Sequence, residues 1–319
     1  MSKTFRNKNF LVLGRAGLDL YADPPGTEIE YAGMFVAALG GSAANIAVSI
    51  AKQGGNATLL TTVSADAVGR YTLNALASYH VDTSLIRTVG GEARNSLAVV
   101  ETRPENCQSV IYRNDAADFH VMEKDVEAID YGTFAGLVVT GTALAKEPSR
   151  NATFKAMALA RLAGLVVLID IDYRPYSWAS RQEAQDICLK AAGMSDIIVA
   201  NDEEFAVMAG TGQGLQLARD LAGKQRCIVV YKMGARGAIT FADGISFETP
   251  VYAVTTLKPT GAGDAFMGGF VSGLVAGASL PDAVQRGAAT AAIVVTRVGC
   301  APAMPDAAEV LTFMQNAGA

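Results

Sequence analysis

Residues 257–266 read LKPTGAGDAF, a lysine followed by small residues and a lone aspartate. Phe266, Phe270 and Leu274 recur every four residues, so a helix is expected to begin at about Gly263 or Asp264 with an apolar face. Gly261, Ala262 and Gly263 leave the backbone N–H groups at this helix start unobstructed, and such orphan donors together with the helix dipole favour an anion. Asp264 has two readings on this stretch alone: a first-turn residue that stabilises its own helix, or a carboxylate that takes a proton. The loop matches neither G-x-x-x-x-G-K-[ST] nor G-x-G-x-x-G, because no lysine follows the glycines and Phe266 stands at the third glycine position of the latter.

Other polar residues could serve the same chemistry. In GGSAANIAVSIAKQGG, Gly40 and Gly41 open a helix and Asn45 stands about one turn further on. Glycines there admit a polar ligand and an amide can donate and accept to hydroxyls, although a tight helix start explains the same residues. In VANDEEF, Asn201 and Glu204 share one face of a first turn, where they suit water-mediated Mg²⁺ and phosphate binding or simply complement the helix dipole. YKMGARGAI offers Lys232 to a phosphate and shapes a turn with Gly234 and Gly237, or is an ordinary hairpin. Arg174 in DIDYRPYSW and Arg113 in VIYRNDAAD carry guanidinium groups that can grip a carboxylate or phosphate in two places. Asp19 in GRAGLDLY offers two acceptors to neighbouring hydroxyls.

These residues need a frame, and short apolar runs supply it. FLVLG (10–14), ATLLTTV (57–63), GLVVTG (136–141), GLVVLID (164–170), DIIVAN (196–201) and CIVVYKMG (227–234) have the composition of buried parallel strands alternating with helices. The expected fold is α/β, a doubly wound, mostly parallel sheet flanked by helices, whose ligands sit beyond the carboxyl ends of the strands. Residues 16–35 and 91–119 break the pattern with strand-like alternation and no helix. They are expected to form a small, mostly antiparallel sheet inserted as a lid, leaving 1–15, 36–90 and 120–319 as the core.

Bulk properties narrow the function classes. A chain of 319 residues, half of them hydrophobic and 18% charged, buries a large core. The net charge of −5 without basic runs argues against nucleic acid as a partner. The apolar stretch near the N-terminus is too short for a signal sequence, and no run approaches the ~18 residues of a membrane span, so a cytoplasmic protein with a small-molecule partner is expected. Cys107, Cys188, Cys227 and Cys300 form no C-x-x-C pair and read as reduced, mostly buried small hydrophobic residues. His80 and His120 stand outside any metal-ligand or triad spacing.

Taken together, GGSAANIAVSIAKQGG, DAVGRYTLNAL, NDEE, KMGARG and TGAGDAFMGGF, in this order, resemble the ribokinase-like (PfkB) family of carbohydrate kinases over essentially the whole chain. The resemblance implies ATP-dependent phosphorylation of a primary sugar hydroxyl with Mg²⁺. It makes Asp264 the general base and the amides of Gly261, Ala262 and Gly263 the anion hole. Asn201 and Glu204 would organise Mg²⁺, met through water at Glu204, and the phosphates; Lys232, Gly234 and Gly237 would lie along the nucleotide. Asp19, Gly40, Gly41 and Asn45 would hold sugar hydroxyls.

Within the family, GRAGLDLYAD, IYRNDAADF, TGTALAKEPSR, DIDYRPYSW and RVGCAPAMP look like the branch acting on 5-dehydro-2-deoxygluconate in myo-inositol catabolism. Such a sugar acid carries a carboxylate, which Arg113 would bind from the lid, while Arg174 would serve the substrate or the transferring phosphate. A 2-keto-3-deoxygluconate kinase or a fructokinase-like enzyme is the near alternative, and a non-catalytic sugar sensor the alternative of another class. A nicotinamide oxidoreductase would need a G-x-G-x-x-G after a strand, which is missing. One departure stands out: Lys258 occupies a place where the family commonly has Asp near a monovalent cation, so its ammonium is expected to substitute for K⁺. A homodimer paired through the lid is a further expectation from the fold.

Overall fold

The computed structural model describes residues 5–317 except 211 and 226. In chain order the elements are β1 (Asn9–Leu13), β2 (Gly17–Asp23), β3 (Met34–Gly40), α1 (Ser42–Lys52), β4 (Asn56–Ser64), α2 (Ala67–Ser78), β5 (Ile86–Val89), β6 (Ser96–Val100) and β7 (Ser109–Tyr112). They continue as α3 (Glu123–Glu127), β8 (Gly136–Thr140), α4 (Ser149–Leu162), β9 (Val166–Asp170), α5 (Arg181–Ala192), β10 (Ile197–Asn201), α6 (Asp202–Ala209) and α7 (Gly214–Gln225). The last are β11 (Ile228–Lys232), β12 (Ala238–Ala242), β13 (Ile245–Thr249), α8 (Ala262–Val275), α9 (Leu280–Val294) and α10 (Ala307–Ala317).

Nine strands form one sheet in the order β13-β12-β11-β10-β9-β8-β1-β4-β5. All six apolar runs of the sequence are strands of it, and they pair in parallel. Alternation along each strand feeds two cores: Leu11 and Leu13 pack on one face of β1, Phe10 and Val12 on the other. Both faces are therefore covered by helices, which is why these strands read as continuous apolar runs. The edges are less apolar and less legible. β5 is half-exposed, and β12 and β13 extend the sheet as an antiparallel hairpin from β11.

A second sheet of four strands, in the order β3-β2-β6-β7, stands apart from the first. Its outer pairs are antiparallel and its central pair, β2 with β6, is parallel. β3 runs on to Gly40, beyond residue 35, because Ala38, Leu39 and Gly40 turn inward and are buried where the strand meets α1. Both excursions leave the large sheet at strand ends, β2 and β3 after β1, β6 and β7 after β5. The crevice lies between the two sheets.

Candidate active site

α8 begins one residue earlier than its apolar spacing suggests. Gly261, at φ 85°, is the N-cap, a left-handed conformation in which a Cβ would also lie 2.7 Å from Cys300 Sγ. Ala262, Gly263 and Asp264 thus occupy the first turn. The amides of Gly261 and Gly263 meet no backbone acceptor among the described residues, and that of Ala262 only approaches Pro259 O at 3.4 Å. Lys258 folds back beneath them, fully buried, and its ammonium donates to Thr260 O at 2.5 Å. Burial lowers its pKa from the ordinary lysine value.

Asp264 does not cap its own helix. Its Oδ2 accepts from Asn45 Nδ2 at 2.7 Å, a bond between α8 and the first turn of α1, while Asn45 Oδ1 is buried without a partner. Burial and then the nearby Asp172 push the Asp264 carboxyl up to about 7; the Asn45 hydrogen bond and Arg174 oppose the rise. A carboxyl that titrates near neutral pH beside anion-binding amides can accept a proton where a phosphate sits.

Carboxylates and cations converge around it from the strand ends. Asp172, at φ 38° just past β9, binds Arg174 at 2.7 Å. Burial would raise the Asp172 pKa, but Arg174 above all holds it below the ordinary value, and Asp172 in turn raises that of Arg174. Lys232, at the end of β11, points inward to Asp170 at 3.7 Å, and a Cβ on Gly263 would lie 3.5 Å from its ammonium. It therefore stands at the start of α8, where it also lines the cleft that Gly234 and Gly237 border. Asn201 and Glu204 form a capping box on α6, in which Glu204 Oε2 accepts from Asn201 N at 2.7 Å. Glu204 Oε1 also accepts from Tyr173 N at 3.0 Å, and burial pushes this carboxyl up to about 7 despite Lys232.

No group of three His, Cys, Asp or Glu among the described residues could hold a metal directly. Glu204 retains lone pairs beyond its two N–H bonds and fits an ion met through water.

On the other side of Asp264 the small sheet contributes Asp19, which is buried, accepts from Tyr21 at 3.0 Å through Oδ2 and has an unpartnered Oδ1. Gly40 makes room for it, since a Cβ there would lie 1.9 Å from Asp19 Oδ1. Gly41 passes over the Arg15 backbone with similar closeness and caps α1. The two glycines thus shape the pocket around Asp19. Arg113 is buried just past β7, ion-paired with Asp118 and donating from Nη2 to Thr142 O at 2.9 Å. Gly234 and Gly237 line a cavity of about 530 Å³ with Asn201, Lys232, Gly263 and Phe266, on the far side of the α8 loop.

Three residues near this centre escaped the sequence reading. Asp170 alternates with Asp172 at the β9 strand end, a spacing that could have marked it; Arg15 donates to Ser96 Oγ at 3.1 Å and faces Asp19; Cys300 receives the Tyr21 hydroxyl at 3.1 Å beneath Gly261. A lone charge or thiol in a loop gives no such signal.

Comparison with known proteins decides the family. The family model for pfkB family carbohydrate kinases matches residues 7–307. The chain belongs to the pfkB family of carbohydrate kinases. Relatives of this pfkB chain include a 5-dehydro-2-deoxygluconokinase of Photobacterium profundum, 38% identical over 96% of this chain and 94% of that one. A 5-dehydro-2-deoxygluconokinase 1 of Bacillus cereus is 35% identical over 99% and 97%. Among solved structures, a fructokinase double mutant from Vibrio cholerae, with fructose, ADP and a potassium ion bound, is 27% identical with a TM-score of 0.86, covering 97% of this chain and 99% of that one. The ribokinase-like α/β fold and sugar-kinase activity follow for this pfkB member.

Proposed function

We propose that this kinase transfers the γ-phosphoryl group of ATP to the terminal hydroxyl of 5-dehydro-2-deoxy-D-gluconate, giving the 6-phosphate, as a cytoplasmic step of myo-inositol catabolism. The names of the relatives support the substrate. The observation that carries the chemistry is the half-buried Asn45–Asp264 pair set against the α8 amides.

Asp264 is the general base. Asn45 holds Oδ2, and the free oxygen accepts the hydroxyl proton as the substrate oxygen bonds to the γ-phosphorus and the bond to the ADP oxygen breaks. The Gly261, Ala262 and Gly263 amides and Lys232 stabilise charge on the transferring group without reorganising. Asp19 and Asn45 Oδ1, each with an unpartnered oxygen, accept substrate hydroxyls within the space that Gly40 and Gly41 leave. Arg113 binds the carboxylate, and Arg174 serves the substrate or the phosphoryl group. Asn201, Lys232, Gly234 and Gly237 line the nucleotide cleft. Mg²⁺, reached from Glu204 through water, neutralises phosphate charge when bound. The buried Lys258 ammonium supplies the charge of a monovalent cation beneath the loop. The small sheet, from residues 16–35 and 91–119 with β3 running to Gly40, acts as a lid that excludes water.

A coupled ADP-release assay over 5-dehydro-2-deoxygluconate, 2-keto-3-deoxygluconate, fructose and ribose tests the substrate: the first is expected to have the highest kcat/KM, and preference for a neutral sugar overturns the assignment. Asp264→Asn is expected to fold and bind ATP but lose ~10²–10⁴-fold in turnover. Retained turnover in that variant would remove Asp264 from the base role.

A further inference from the structure

A second cavity, of about 440 Å³, opens under β7 against the loops that follow β8 and β9. Its lining includes Arg113, Asn114, Phe119, Lys146, Tyr176 and Ser177, and none of the lining residues is Asp or Glu. Arg113 is 8% exposed, yet its Nε and Nη1 have no partner; the buried Ser177 Oγ has none either. The exposed Lys146 ammonium makes no ion pair among the described residues. It stands 5.5 Å from the centroid of the Phe119 ring, which also carries the Arg113 guanidinium at 4.0 Å. Unpaired buried donors cost about 1–3 kcal/mol each, and two cations on one ring repel, so this cavity is poorly satisfied until oxygen acceptors enter it. Asp118 already neutralises Arg113. Lys146 therefore leaves one excess positive charge, the complement of one carboxylate.

We propose that Lys146 and Ser177 complete, with Arg113, an anion subsite for the substrate end opposite the phosphorylated hydroxyl, and that Lys146 sets the preference for a sugar acid over a neutral sugar. The inference rests on the sugar-acid reading above. The three groups come from separate elements, so each can be altered alone. Lys146→Met keeps the stem against Phe119 and removes the charge, Lys146→Arg restores it, and Ser177→Ala removes one donor.

Kinetics and calorimetric binding of 5-dehydro-2-deoxygluconate to the full chain test this. Lys146→Met is expected to raise KM and Kd about tenfold, more than it lowers kcat, to flatten the salt dependence of KM, and to be largely rescued by Lys146→Arg. Ser177→Ala is expected to raise KM less and leave the salt dependence in place. If the wild type prefers the acid while Lys146→Met and Ser177→Ala both keep its KM and Kd, the inference fails and the substrate reading survives. A wild type that prefers fructose overturns both.

Discussion

At the scale of single residues, the proposed role of Asp264 turns on its short contact with Asn45. A carboxylate in the proposed base role must be ionised, and the Asp264 pKa is raised to about 7, so kcat/KM should climb as pH rises through about 7 and level off above it. The Asn45 hydrogen bond favours the ionised form, so Asn45→Ala should move the rising limb to higher pH as well as lower the plateau. A pH–rate profile of both proteins checks this, and an unshifted limb in Asn45→Ala would mean that another group titrates. Lys258 poses a different question, because its buried ammonium donates to a backbone carbonyl and lies under the anion-binding turn. Turnover is expected to be the same with and without K⁺, to within about twofold. Strong K⁺ activation would show that the ammonium does not take a cation's place. The helix start beside Asp264 was legible from sequence, because small residues before an apolar period of four mark a helix N-terminus, but the stretch alone left Asp264 with two readings. Lys146 and Ser177 were not legible, since nothing in a lone lysine or serine in a loop tells which cavity it faces.

At the scale of elements, the small sheet does two things at once. One face delivers Asp19 to the crevice and carries Met34 and Val36 beyond it on the exposed part of β3, while the opposite face exposes Val110 and Tyr112 on β7, just before Arg113. Met34 is 60% and Tyr112 57% exposed, so each outer strand, β3 and β7, combines exposed apolar side chains with an edge that no other described strand pairs. We expect two copies to pair through this sheet, and Val36→Lys to shift the molecule to monomer, as read by light scattering. A wild type that is monomeric at micromolar concentration would rule the pairing out. The existence of this sheet could be read from SLAVVE and SVIYR, whose alternation has no helical period. The extent of β3 could not, because Ala38, Leu39 and Gly40 pair with β2 and also pack at the helix start, and local pattern does not separate the two.

At the scale of the whole molecule, one cavity lies against the first turn of α8 and a second lies between β7 and the loops after β8 and β9. One is lined by Gly234, Gly237 and Phe266, the other by Arg113 and Lys146, and the large sheet holds both at its strand ends. Ligand occupancy should therefore stabilise the native state as a unit. ATP with Mg²⁺ at about a hundred times Kd is expected to add about 2.7 kcal/mol, seen as a rise in Tm, whereas NAD should leave Tm in place. Stabilisation by NAD would contradict a nucleotide cleft built for ATP. Local periodicity and backbone chemistry were enough to specify six buried strands, a helix opening at Gly40 and Gly41, and a second helix start within two residues of Ala262 with Asp264 in its first turn. Tertiary structure chose among the readings of the polar residues. Asp264 could cap a helix or bond elsewhere until α1 brought Asn45 to 2.7 Å from it, and Glu204 could be solvated until Tyr173 and Asn201 closed over it. Those outcomes depend on contacts between residues far apart in the chain, such as the 219 positions separating Asn45 from Asp264. Local propensity does not encode such contacts; the packing of helices on the two faces of the sheet does.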